Sequence, residues 1–143
     1  NYRVNSLMAA SSNNMVTQLN CLVVEDNPFT IITLRKALES LGITKVISAP
    51  NGQDALDVID DMKQHTQVIL LDLRMPVMGG IEFLSRLSDR KYPGSVILTS
   101  MVNNETQLAV GKLAQKCNIN LIGNLSNPPY IQELSHLLSN CTE

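Results

Sequence analysis

No apolar run in this 143-residue chain approaches the roughly 20 residues needed to span a bilayer, and no charged-then-apolar leader opens it. A membrane span is therefore not expected. Eleven Lys and Arg stand against thirteen Asp and Glu, leaving a net charge of -2 and no broad basic footprint, which argues against direct binding to nucleic acid. Cys21, Cys117 and Cys141 are odd in number and show neither a CxxC pair nor Cys/His spacing. That pattern excludes a zinc site or a redox motif and leaves reduced core thiols in a cytosolic protein. Internal repeats and low-complexity arrays are also missing, and nothing marks a second domain. The chain opens on Asn rather than Met, which reads as a piece of a longer protein.

What is present fits one domain. At this length about two thirds of the unfolded surface can be buried, and 44% hydrophobic with 17% charged residues describes a soluble globular chain. Residues 1–18 are largely polar, with Val4, Leu7 and Met8 among the few to bury, and read as a tail or linker, or else as a short docking helix. Residues 19–143 form the folded domain. Within it, β-rich apolar runs at Leu19 to Glu25, Lys45 to Ala49, Val68 to Asp72, Ser95 to Thr99 and Asn120 to Asn124 alternate with helical periodicity. The helical stripes are Ile31, Leu34, Leu38 and Leu41, then Ala55, Ile59 and Met62, then Ile81, Leu84 and Leu87. Ala109, Val110, Leu113 and Cys117 make the fourth, and Ile131, Leu134 and Leu138 the fifth. Five βα units in order predict an α/β fold, a doubly wound five-stranded parallel sheet with helices on both faces.

The strands end on chemistry. Leu22, Val23 and Val24 run into Glu25 and Asp26, Val68 to Leu71 run into Asp72, and the fourth strand reaches Thr99. In open α/β sheets the ligand crevice lies outside these carboxyl ends. Taken singly, each residue has an ordinary reading: Glu25 to Pro28 as a helix cap, Asp72 as a turn, Thr99 as a strand residue. Taken together, three carboxylates at neighbouring strand ends repel by about 4 kcal/mol per pair at 4 Å and an effective dielectric of 20. A divalent cation is expected to hold them, and an all-oxygen ligand set favours magnesium or manganese over zinc. A carboxylate beside such an ion can take a phosphoryl group as an aspartyl-phosphate. Asp72 is the best nucleophile, Thr99 a hydroxyl donor to a phosphoryl oxygen, and Glu25 and Asp26 the metal acids.

At these residues the chain resembles the receiver domain of bacterial two-component response regulators. CLVVEDNPF is similar to the family's acidic strand, LLDLRMPVMGG to its phosphoacceptor segment, VILTS to its hydroxyl strand and IGNLSNPP to its last strand and Pro. The resemblance implies a flavodoxin-like sheet of order 2-1-3-4-5. It implies phosphorylation at Asp72, a switch hydroxyl at Thr99, and Mg2+ or Mn2+ held by Glu25, Asp26, Asp72 and the carbonyl of Arg74. The implied partners are a sensor histidine kinase or phosphotransfer protein and an output domain outside this chain, with a homodimer possible. No turnover beyond the domain's own phosphorylation and dephosphorylation is implied.

Two positions depart from the family. Asn127 stands where a Lys usually precedes the last Pro, and Asn124 stands where many receivers carry Tyr or Phe. A hydrogen bond to a charged group is worth about 1.5 to 3 kcal/mol against about 0.5 to 1.5 for a neutral pair, so the phosphorylated state should lose roughly 1 to 2 kcal/mol at Asn127. The long fourth helix and NINLIGNLSNPP are similar to receivers fused to EAL cyclic-di-GMP phosphodiesterase domains. The rival readings are a degenerate receiver kept for protein contacts and a haloacid-dehalogenase-type enzyme. The latter wants a second Asp two residues after the nucleophile, where this chain has Arg74.

Overall fold

The computed structural model describes residues 15–100 and 102–142. The expectations for residues 1–14 lie outside the described residues. Five strands, β1 (Cys21–Val24), β2 (Val46–Ala49), β3 (Val68–Leu71), β4 (Ser95–Leu98) and β5 (Asn120–Asn124), form one parallel sheet in the order β2-β1-β3-β4-β5. They alternate with α1 (Pro28–Ser40), α2 (Gly52–Asp60), α3 (Gly80–Asp89), α4 (Asn104–Lys116) and α5 (Ile131–Ser139), as the sequence predicts.

Because successive strand side chains point to opposite faces, the central strands feed two cores. Leu22, Val24, Ile69, Leu71, Val96 and Leu98 face one side, where they pack with buried residues of α2, α3 and α4 such as Leu56, Leu84 and Val110. Cys21, Val23, Val68, Leu70 and Ile97 face the other, against Leu34 and Leu38 of α1 and Leu134 and Leu138 of α5. Such near-continuous apolar strands are those of a sheet covered on both faces.

Several boundaries and stripes differ from expectation. β1, β3 and β4 stop one residue earlier than the apolar runs suggested, so Glu25, Asp72 and Thr99 lie just past the strands. In α3 the face turned to the sheet is Gly80, Phe83, Leu84 and Leu87, an i, i+3, i+4, i+7 stripe, and Ile81 is left half exposed. In α4, Val110 and Ala114 are buried while Ala109 is exposed. Met62 is exposed because α2 ends at Asp60. At the N-terminal side, Met15 to Thr17 form a helical turn and Val16 packs in the second core, so the folded unit takes in residues before Leu19. That turn seats Thr17 against Gly42, whose φ of +85° ends α1 in the left-handed region, where a Cβ would also lie 2.8 Å from the Thr17 Cγ2 atom.

Cys21, Cys117 and Cys141 are free thiols, and burial pushes the Cys21 thiol up to about 12. A thiol held neutral in this way is inert packing. Among the described residues no helix is long and apolar enough to cross a membrane.

Candidate functional site

Register brings the strand ends together. Val24 pairs with Leu71, and Leu71 with Leu98, so the residues that follow, Glu25, Asp72 and Thr99, emerge side by side. The ladder continues one step beyond the strands: the Asp72 amide donates to the Val24 carbonyl at 3.0 Å and the Thr99 amide to the Leu71 carbonyl at 2.9 Å. β1 lies between β2 and β3, the point where the strand order reverses. Crevices form there because the connections leave in opposite directions to the two faces.

Asn27, not the preceding acids, caps α1: its side chain accepts from the amides of Phe29 at 2.9 Å and Thr30 at 3.2 Å, ahead of Pro28 in the first helical turn. Glu25 and Asp26 are thereby left to face Asp72. Carboxylate oxygens of the three acids lie within 4.8 Å of one another. Glu25 is buried, Asp72 half-buried and Asp26 exposed. Burial first, then a hydrogen bond and charge contact with Asp72, push the Glu25 carboxyl up to about 8. A hydrogen bond from Thr30 acts in the opposite direction and the charge of Asp26 adds to the rise.

The Arg74 amide donates to Asp72 Oδ1 at 2.9 Å, which orients the carboxylate from its own loop. The Leu73 amide donates to Ser100 Oγ at 2.6 Å, and the Gly80 amide to the Leu73 carbonyl at 3.0 Å. Thr99 is buried, and its hydroxyl makes no hydrogen bond among the described residues. Glu25, Asp26, Asp72, Arg74, Thr99 and Ser100, with Asn27, Thr30 and Asn127, line a cleft of about 430 Å³. A roomier cleft of about 800 Å³ is lined by Asp60, Arg90 and Tyr92, and among the described residues it holds no carboxylate cluster of this kind.

The donor set suits a hard cation. Among the described residues, Glu25 Oε2 is buried with no hydrogen-bond partner, an arrangement that an oxygen-seeking ion resolves, and no His or Cys joins the cluster to soften the site.

The sequence pattern of the response regulator receiver domain matches residues 21–118. The chain belongs to that family. The receiver domain is 28% identical over 124 residues to the cyclic di-GMP phosphodiesterase RocR of Pseudomonas aeruginosa, covering 87% of this chain and 31% of that protein. It is 30% identical over 122 residues to the positive alginate biosynthesis regulatory protein of the same organism, covering 84% and 46% respectively. The chain thus spans less than half of the length of these relatives. A response regulator from Colwellia psychrerythraea has the same fold, with a TM-score of 0.69 and 26% identity over 87% of this chain and 96% of that one.

Every site residue named from sequence, Glu25, Asp26, Asp72, Arg74, Thr99 and Asn127, lies on this receiver's cleft. Sequence reasoning missed Thr30 and Ser100. A hydroxyl directly after Thr99 was the available signal for Ser100. Thr30 had none, because its approach to Glu25 depends on how α1 leaves the sheet. Asn124 closes β5 with Oδ1 buried and unpartnered among the described residues, so the departure at this position leaves an unsatisfied acceptor where a ring would have been apolar.

Proposed function

We propose that this receiver accepts a phosphoryl group onto Asp72 from the phosphohistidine of a sensor kinase or phosphotransfer protein in the cytosol. The observation that carries the reading is the gathering of Glu25, Asp26 and Asp72 within 4.8 Å, beside the buried, uncommitted hydroxyl of Thr99. Mg2+ or Mn2+ is the cation these oxygens fit: the three carboxylates and the Arg74 carbonyl would hold it, and when bound it would supply positive charge to offset that of the phosphoryl group.

An Asp72 carboxylate oxygen attacks phosphorus, the P–N bond of the donor breaks, and the departing imidazole nitrogen takes a proton. Asp72 becomes an acyl phosphate. The Arg74 amide keeps the carboxylate oriented during the attack, and Thr99 donates its hydroxyl to a phosphoryl oxygen. The product carries about -1.5 to -2 charge. Movement of Thr99 toward it repacks α4 and β5, biasing a surface that an output domain or a second copy reads. No substrate is turned over apart from the domain's own phosphate. The likeness to RocR over 124 residues supports a cyclic-di-GMP phosphodiesterase output beyond this chain.

Intact mass after incubation with magnesium and acetyl phosphate tests the reading. A single phosphoryl increase, absent from Asp72→Ala, is expected. No increase with this donor or with a phosphohistidine protein would instead favour a receiver fold kept for protein contacts alone.

A further inference from the structure

Charge in the cleft does not balance without a cation from the chain. After phosphorylation of Asp72, the carboxylates of Glu25 and Asp26 remain, and the phosphoryl group adds about -1.5 to -2. One divalent cation offsets two charges and leaves an excess of about two negative. Asn127, on the cleft lining, is neutral. Among the residues lining the cleft, Arg74 is the one that carries positive charge.

Arg74 is also placed and free to act. Its backbone amide is fastened to Asp72 Oδ1 at 2.9 Å, so its Cα stays beside the nucleophile. Its side chain is exposed and makes no hydrogen bond or ion pair among the described residues, so nothing competes for the guanidinium. A planar guanidinium presents paired N–H donors at the spacing of phosphoryl oxygens and keeps its charge at any working pH. We propose that the Arg74 guanidinium is the chain's cationic ligand for the phosphoryl group on Asp72, taking charge that Asn127 cannot. The proposal rests on phosphorylation of Asp72 as read above.

The test is a set of variants of the full chain: wild type, Arg74→Ala, Arg74→Lys, Asn127→Lys and the double variant Arg74→Ala/Asn127→Lys. For each, intact mass follows adduct formation with acetyl phosphate and magnesium, and its decay once the donor is removed. Binding of beryllium trifluoride, an unreactive mimic of the phosphoryl group, is read from the rise in melting temperature. A lost charged hydrogen bond predicts that Arg74→Ala slows formation, or shortens adduct lifetime, by about tenfold or more, and weakens the mimic similarly. Arg74→Lys retains part of the function. Asn127→Lys restores the Arg74→Ala chain to within about threefold of wild type, and has a smaller effect when Arg74 is present, as two cations serving one group require. The melting temperature of the unliganded chain stays unchanged.

An Arg74→Ala chain within twofold of wild type in rate, lifetime and mimic affinity overturns the role of Arg74 alone. So does a defect that Asn127→Lys leaves unrescued, which would make Arg74 a structural residue of the loop. A wild-type chain that forms no adduct and binds no mimic overturns the Asp72 reading and this proposal together.

Discussion

The Leu73 amide donates to the Ser100 hydroxyl at 2.6 Å, tying the residue after Asp72 to the residue after Thr99 across 27 positions of sequence. Ser100 is buried, so its oxygen has no ready replacement from solvent. The bond joins the loop that carries Asp72 to the loop that carries Thr99.

Ser100→Ala leaves the Leu73 amide without its partner, and an orphaned buried donor costs about 1 to 3 kcal/mol. Urea denaturation should show a loss in that range. A change below about 0.5 kcal/mol, the scale of ordinary surface substitutions, would mean the bond does not hold the loops together.

Glycine to alanine should act with opposite signs at two helix positions. A Cβ on Gly80 would stand 2.6 Å from the Leu73 Cα atom and 2.7 Å from its Cδ2, so the loop behind Asp72 must shift. Overpacking of this kind costs about 1 to 3 kcal/mol. At Gly111, in the middle of α4, nothing lies within 4 Å, and the better helix former gains about 0.5 to 1 kcal/mol. Melting temperatures of Gly80→Ala and Gly111→Ala should move down and up respectively, and only the first should reduce adduct formation on Asp72.

Glu25 sets a pH dependence on the metal-free chain. Its carboxyl is pushed from the ordinary carboxylate range up to about 8, so between the two values the folded state binds the extra proton. Stability is then fullest at low pH and falls as pH rises through that window. In chelator, Glu25→Gln should flatten the slope and raise the melting temperature at pH 7, and magnesium should raise that of wild type more than that of the variant. An equal metal response in both chains would remove Glu25 from the cation site.

Asn124→Val removes the buried Oδ1 acceptor that lacks a partner and places a β-branched residue at the end of β5. A gain of about 1 kcal/mol in urea is expected, since the unmet desolvation of the amide disappears. A loss of similar size would show that the neighbouring Gln107, which lines the adjoining cleft of about 270 Å³, donates to Asn124 in solution.

The sheet was legible because its strands are short, almost wholly apolar and bounded by turn chemistry, and because helical stripes of period 3.6 separate them. Both properties are local. Asn27 and Pro28 announced the start of α1, and the acids and Thr99 announced themselves as polar residues on which apolar runs end. What adjacent residues along the chain could not tell was which of Glu25, Asp26 and Asn27 serves the helix and which the cleft. The hydrogen bonds from Phe29 and Thr30 assign that task to Asn27.

The local sequence thus decided the elements, their order and the residue types at the strand ends, because each depends on the near neighbours of a residue. Tertiary structure alone decided that Glu25, Asp72 and Thr99 share one cleft, that Ser100 ties its two loops, and that Phe83 rather than Ile81 enters the core. Those facts depend on strand register and helix rotation, which emerge from pairing Val24 with Leu71 and Leu71 with Leu98. Contacts between segments so far apart leave no periodic mark on the chain.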